Sequence, residues 1–242
     1  MISGDILKQN IIRDEIIISD WDGVIQDIDI KWMTKLIDNQ TKFNKYLDYN
    51  KLKGEDGKWD LIKVWSRNTY YYTNWLKKDN VKKIPEEIEK EVTSLYIDDI
   101  GYYFDIPFLI MADTLKKLSY EKFVKKIIFL SSAPKDVETD PRKLIMMNRF
   151  FKDNIGKFSI EVIHGNTPKS QYINEHYPDY TVFIDDRSDV VRDVIENTDS
   201  KNKQFILPIY GYNLDLGNDE EFITKCSAKG TIISTYKNEV LR

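Results

Sequence analysis

The sequence is poor in the residues that build several kinds of site. Of its 242 residues one is cysteine, Cys226, so neither an intramolecular disulfide nor a thiolate zinc site can form. His164 and His176 are the only histidines, and with no convergent acids beside them they make no zinc signature. Both read as structural or surface residues. No apolar run approaches the roughly 20 residues that span a bilayer; the longest are Ile16-Ile17-Ile18 and Ile127-Ile128-Phe129-Leu130. There is no basic start followed by an apolar signal segment, so a cytoplasmic protein is expected. Internal repeats, low-complexity tracts and a kinase-type Gly-rich loop are also missing. What remains is an ordinary globular balance, 41% hydrophobic and 31% charged, which argues against disorder. The length suits one large domain, or a core domain carrying an insertion.

The net charge is −4, from 36 Lys or Arg against 40 Asp or Glu, but the positive charge is unevenly placed. Between Lys31 and Lys83 there are 13 Lys or Arg against 6 Asp or Glu, a local +7 that leaves −11 for the rest. The same stretch holds Trp32, Trp59, Trp65 and Trp75, with Phe43, Tyr46, Tyr49 and the run Tyr70-Tyr71-Tyr72. Such a segment suits a pocket for an anion bearing a flat base, because cations attract phosphate and rings stack on bases. The competing reading makes the rings helix core and the lysines, Lys77-Lys78 and Lys82-Lys83 among them, a solvated face.

Along the chain, strand and helix alternate. Ile16 to Ser19 reads as a buried parallel strand ending in Asp20. A helical block follows, with Trp32, Met33, Leu36 and Ile37 on one face and Leu61, Ile62, Trp65, Thr69, Tyr72 and Leu76 on another. Gly54-Glu55-Asp56-Gly57 marks a turn within it. Pro85 opens a helix carrying Ile88, Val92 and Leu95. Asp105 and Pro107 are expected to cap and start the next, with Phe108, Met111, Ala112, Leu115 and Leu118 inward. Further strands are expected at Lys126 to Leu130, Ser159 to Ile163, Thr181 to Ile184 and Gln204 to Leu207. Asp140-Pro141 starts a helix with Leu144, Asn148 and Phe151 facing in. Thr167-Pro168 caps a short one, and Val190, Val191, Val194 and Ile195 line a third. This order implies an α/β fold, a Rossmann-like doubly wound parallel sheet. Residues 1–26 and 106–242 form its catalytic core, and residues 27–105 an inserted helical cap after the first strand.

In open α/β sheets ligands sit beyond the carboxyl ends of the strands. The residues there are Asp20-Trp21-Asp22-Gly23-Val24, Ser131-Ser132-Ala133-Pro134, His164 through Lys169, and Asp185-Asp186-Arg187. These side chains are what a magnesium-dependent phosphoryl-transfer site requires. Two carboxylates one residue apart in extended chain face the same side, so Asp20 can attack phosphorus while Asp22 handles protons. Asp20, Asp22 through its main-chain carbonyl, and Asp185 or Asp186 offer oxygen ligands suited to Mg²⁺. Gly23 permits a tight chain reversal. Ser131 can hydrogen-bond a phosphate oxygen, and Lys169 can neutralise a phosphoaspartyl state. Lys169 stands at the second position of a helix, where the dipole disfavours a cation, a misfit that an anion nearby would relieve. Each element alone has a structural alternative: Asp-x-Asp-Gly is a common turn, Ser131-Ser132 a common loop start, and Asp185-Asp186 a helix cap. All four in order, each at a strand end or the helix start beyond it, favour the site.

These motifs resemble those of the haloacid dehalogenase-like phosphatase superfamily. Ile17-Ile18-Ser19-Asp20-Trp21-Asp22-Gly23-Val24 is similar to its first motif, Phe129-Leu130-Ser131 to its second, Lys169 to its third and Phe183-Ile184-Asp185-Asp186 to its fourth. The resemblance implies Asp20 as nucleophile, Asp22 as general acid/base, Ser131 and Lys169 as stabilisers, Asp185 and Asp186 as the acidic metal pair, and a cap after the first motif. Ser131-Ser132-Ala133-Pro134, Asp185-Asp186-Arg187 and Leu207 to Asn213 look like the 5′(3′)-deoxyribonucleotidases, although those usually have threonine where Ser131 stands. Asp185 to Val191 is also similar to the phosphatase half of polynucleotide kinase-phosphatases. Trp21 departs from the smaller or aliphatic residue usual between the two acids and is expected to line the phosphate entrance, with Ser132 and Arg187 as further substrate contacts. Arg187 has a second reading, as a salt-bridge brace for the acids. The resulting expectation is an Mg²⁺-dependent nucleoside (deoxy)monophosphate phosphatase with the substrate held between the two halves. The alternatives are a 3′-phosphatase acting on DNA or RNA ends and a non-catalytic phosphate-binding module. No membrane partner is expected.

Overall fold

The structure is a computed structural model that describes residues 15–67, 72–133, 140–164 and 167–235. The buried run Glu15–Ser19 forms β1. Six helical segments of the insertion region and its exit follow: α1 (Ile28–Asp38), α2 (Gln40–Phe43), α3 (Leu61–Trp65), α4 (Tyr72–Trp75), α5 (Glu86–Ile97) and α6 (Ile110–Leu118). The chain then alternates through β2 (Val124–Ala133), α7 (Pro141–Phe150), β3 (Phe158–His164), α8 (Lys169–His176), β4 (Val182–Ile184), α9 (Ser188–Asn197), β5 (Gln204–Ile209), α10 (Glu220–Ala228) and β6 (Thr231–Thr235). The six strands are all parallel, in the order β3-β2-β1-β4-β5-β6. That order is doubly wound, with its reversal between β1 and β4.

The chain divides into two compact units, Met1–Gln26 with Pro107–Arg242, and Asp27–Ile106. In the first, Ile18, Ile128, Leu130, Phe183, Phe205 and Leu207 bury one sheet face against Ile173, Val191 and Val194 of α8 and α9. Strands this apolar on both faces are unstable in water and require helices on each side. The insertion leaves and returns at one place in this unit: Gln26 forms an antiparallel bridge with Phe108, and the Leu109 N–H donates to Ile25 O at 2.8 Å.

The second unit is helical, and the rings of the basic stretch form its core. Trp32, Phe43, Tyr49, Trp65 and Tyr72 are buried together with Met33, Leu36 and Val92. Trp32 and Tyr72 meet at 5.4 Å between ring centroids. Of the expected stacking rings, Tyr46, Trp59 and Trp75 keep partial exposure, and residues 70 and 71 lie outside the described ones. Asp27 caps α1 and accepts from Trp65 Nε1 at 2.8 Å. Burial raises this carboxyl above its ordinary range despite that bond and those from the Asp29 and Ile30 amides.

Several local expectations are corrected. The face expected over 61–76 is broken into α3 and α4, and Leu61 and Ile62 are 76% and 67% exposed. Trp65, Tyr72 and Leu76 are buried as expected, and Val64 joins them in place of Leu61 and Ile62, with Asp60 capping α3. Asp105 is not a cap; the next helix starts at Ile110 with Leu109 at its N-cap position. Leu144 is exposed, since α7 turns Arg142, Lys143, Met146 and Met147 inward. Pro168, not Thr167, precedes α8, so Lys169 is its first residue. β6 escapes the sequence reading because it is a short strand paired only with β5, with Ile232 and Ile233 half-exposed.

Candidate active site

Parallel pairing brings the ends of β1 and β4 level, while β2 runs on to Ala133. Ser19 pairs with Phe129 on one side and Ile184 on the other, so Asp20 and Asp185 emerge together at the switch point. Beyond Asp20 the chain reverses tightly: the N–H groups of Val24, Ile25 and Gln26 all donate to Trp21 O, and the Gly23 N–H donates to Gln26 O at 2.8 Å. Gly23 takes φ 79°, a left-handed conformation that glycine adopts without strain.

Three carboxylates converge. One oxygen from each of Asp20, Asp185 and Asp186 lies within 4.8 Å of the other two. Lys169 reaches them from the start of α8, with Nζ 2.9 Å from Asp20 Oδ1 and 2.7 Å from Asp185 Oδ2. Burial would lower this ammonium's pKa, but Asp185 and Asp20 outweigh it and hold it up at about 12. Burial raises Asp20 above the usual carboxylate range; Lys169 and Lys143 oppose this, and Asp185 adds to it. The two oxygens of Asp185 serve as braces, Oδ2 to Lys169 and Oδ1 to the Arg187 N–H at 2.9 Å. Asp186 is oriented from β5's end: Tyr212 OH donates to its Oδ2 at 2.9 Å, and Asn213 Nδ2 to its main-chain oxygen at 2.7 Å.

Asp22 and Ser131 are joined by a residue the sequence reading missed. Lys143, on the first turn of α7, donates to Asp22 Oδ2 at 2.5 Å and to Ser131 Oγ. Its side chain is 1% exposed. Beside it Asp140 caps α7, accepting from the Arg142 N–H and from Nε and Nη2 of the same residue. Burial pushes Asp140 up, but these bonds and the charges of Lys143 and Arg142 hold its carboxyl below the usual range. The signal available in the sequence was a Lys at the N-terminus of a helix, the same dipole misfit that singled out Lys169.

The remaining expected contacts are placed elsewhere. Trp21 is fully buried, its indole N–H bonded to Gln26 Oε1 at 3.3 Å and its ring edge-on to Phe129 at 4.9 Å. It does not line an entrance, because an indole this large finds room only in the core behind the loop. The Arg187 guanidinium engages Asp189, at 2.6 Å from Nη2 to Oδ2, while its backbone braces Asp185. Ser132 is exposed, on the opposite side of β2 from buried Ser131, as strand alternation requires. The His164 side chain lies outside the described residues, and His176 stacks on Tyr172.

The donor set fits a hard divalent cation. It is all oxygen, and the three clustered carboxylates share one ammonium, Lys169, leaving two formal negative charges among them. A lone uncompensated charge there would be costly, and one divalent cation would balance both. Among the described residues no helix is long and apolar enough to cross a membrane.

No protein-family model matches the sequence, and no curated protein does. Solved structures do match in fold. A candidate phosphatase from Clostridium difficile shares 17% identity with a TM-score of 0.54, over 92% of this chain and 95% of that one. A predicted phosphatase from Clostridium acetobutylicum shares 15% at 0.53, over 92% and 94%. A haloacid dehalogenase-like family hydrolase, SP0104 from Streptococcus pneumoniae, shares 12% at 0.52, also over 92% and 94%. The chain is a doubly wound α/β protein with an acidic cluster at its switch point. Its fold is the haloacid dehalogenase-like fold.

Proposed function

We propose that the protein is an Mg²⁺-dependent phosphomonoesterase working through an aspartyl phosphate on Asp20. The observation that carries this reading is the cluster of Asp20, Asp185 and Asp186 oxygens within 4.8 Å, with Lys169 bridging the first two. Asp20, Asp186 and the main-chain carbonyl of Asp22 would hold the metal, and Asp185 would hold Lys169. The metal, when bound, offsets charge on the phosphate and lets an anionic nucleophile approach it.

The chain's own groups do the rest. As an Asp20 oxygen bonds to phosphorus, the bond to the leaving oxygen breaks, and Asp22 gives its proton to that oxygen. Asp22 then takes a proton from water, the hydroxide attacks phosphorus, and the bond to Asp20 breaks to release phosphate. Lys169 stays cationic throughout and offsets the charge on Asp20 before attack and on the phosphoryl group after it. Ser131 Oγ contacts a phosphate oxygen.

A nucleoside monophosphate, with deoxynucleotides favoured, is the proposed substrate class. Its support is the sequence resemblance to nucleotidases and the local +7 of residues 31–83. Tyr46, Trp59 and Trp75 are the partly exposed described rings of that stretch. The experiment is phosphate release with Mg²⁺ from nucleoside 5′- and 3′-monophosphates, comparing wild type with Asp20→Asn. Turnover on mononucleotides that is lost in the variant is expected, and equal rates in the two proteins overturn the mechanism. A 3′-phosphorylated oligonucleotide, added as a further substrate, gives steeply salt-dependent turnover only if nucleic-acid ends are the substrate.

A further inference from the structure

We infer that Lys143 is a positioning residue for proton transfer, holding Asp22 against Ser131 so that one oxygen of Asp22 meets the leaving group. This rests on the proposed roles of Asp20 and Asp22. A buried ammonium is unstable unless it is fully bonded, and at the first turn of a helix the dipole disfavours it further. The fold nonetheless places Lys143 there, 1% exposed, with Nζ 2.5 Å from Asp22 Oδ2 and bonded to Ser131 Oγ. Asp140 fixes the first turn of α7 by capping it and by pairing with Arg142 through two further hydrogen bonds, so Lys143 has one direction to point. Lys169 contacts a different pair, Asp20 and Asp185. The two lysines thus have different hydrogen-bond partners, Lys169 the group that bonds to phosphorus and Lys143 the group that moves protons, while the charges of both act on Asp20.

Asp22 has the most solvent access of the side chains in these ion pairs, 22% against 13% for Asp20 and 1% for Asp185. Only some carboxylate rotamers can protonate a leaving oxygen, and the bond from Lys143 holds Asp22 in one of them, with Ser131 set beside it for the phosphate.

The role predicts an unusual kinetic split. An alkyl phosphate needs a proton on its leaving oxygen, whereas p-nitrophenyl phosphate does not, because p-nitrophenolate leaves as an anion. Both need Asp22 to activate water in the second half. In Lys143→Met, kcat on a nucleoside 5′-monophosphate should fall about 100-fold or more, within the range general acid–base groups supply, while KM moves far less. With p-nitrophenyl phosphate the same variant should release nearly one equivalent of p-nitrophenolate in a burst, then turn over slowly.

Lys143→Arg keeps the charge and should restore part of kcat without restoring the wild-type rate. If Lys143→Met does not fold, Lys143→Arg decides by the same burst measurement. A raised KM with unchanged kcat would make Lys143 a phosphate-binding group, and an equal loss of burst and turnover would make it structural; either result overturns the inference. Asp20→Asn is the control. Wild-type turnover that survives in Asp20→Asn overturns the reading of the site itself. Turnover lost in Asp20→Asn with an unaltered split in the Lys143 variants overturns only the role given to Lys143.

Discussion

Gly23 lies against the carboxylate of Asp186, 163 residues further along the chain: a Cβ on Gly23 would overlap Asp186 Oδ2 and stand 2.6 Å from its Cγ. The glycine at the loop beyond β1 is thus required twice, for its φ of 79° and for the space it yields to an acid of the candidate metal cluster. The same Cβ would stand 2.7 Å from Tyr210 OH, so the acid has little room to retreat.

Gly23→Ala should therefore act on metal binding as well as on stability. Backbone strain of this kind costs about 1–3 kcal/mol, measurable by chemical denaturation. Calorimetric titration with Mg²⁺ should show affinity reduced by about tenfold or more, the scale of a displaced ligand support. An unchanged Mg²⁺ affinity would separate Gly23 from the acid cluster.

Lys169→Met should leave Asp20 and Asp185 as an uncompensated buried pair. Breaking such an ion pair costs about 3–5 kcal/mol. Because the variant gains one net negative charge at the site, Mg²⁺ should raise its melting temperature by more than it raises that of wild type. Thermal melts with and without Mg²⁺ check this, and an equal shift in both proteins goes against a charge balance between Lys169 and the acids.

Asp140 ties stability to acid pH. Its folded pKa lies below its ordinary value because of Arg142 and Lys143, despite burial. The group therefore stabilises the fold above the unfolded pKa, and that contribution is lost as pH falls through the folded value. Asp140→Asn should cost about 2–3 kcal/mol at pH 7, since it removes the carboxylate that pairs with the buried Arg142 guanidinium. The gap between the two proteins should close below about pH 4. Denaturation measured across pH 3 to 7 tests this, and a constant gap would remove the electrostatic explanation.

Trp21→Phe should weaken the fold and spare substrate selection. The indole is buried on Phe129 and bonded to Gln26, so the smaller ring leaves a cavity and a buried amide oxygen with one donor fewer. A loss of about 1–3 kcal/mol follows, with KM ratios across a nucleotide panel unchanged. Altered KM ratios would return Trp21 to the substrate path.

The strands beside the site were legible because their signal is local. Ile16-Ile17-Ile18 and Ile127 to Leu130 are apolar runs that can only be buried, and Asp20 and Asp185 fall where those runs and Phe183-Ile184 stop. α7 was misread for the opposite reason. Periodicity favours burying Leu144, but the buried face holds Arg142 and Lys143, whose partners are Asp140 and Asp22. Asp22 lies 121 residues away from Lys143, beyond the reach of any sequence window. The rings of residues 31–83 show a third case: the sequence places them in one segment, but whether they face a ligand or each other depends on packing, and Trp32, Trp65 and Tyr72 pack inward.

Strand–helix alternation, the parallel sheet and the positions of the acids at strand ends follow from residue order, which sets hydrophobic period and chain direction. Which cation meets which partner follows from packing alone: Lys169 with Asp20 and Asp185, Lys143 with Asp22 and the Ser131 hydroxyl. Packing also decides that Trp21 is core and that Tyr212 and Asn213 orient Asp186. The physical reason is that a buried charge is tolerated only beside its partner, and partners far apart in sequence are chosen by the register of the strands that carry them.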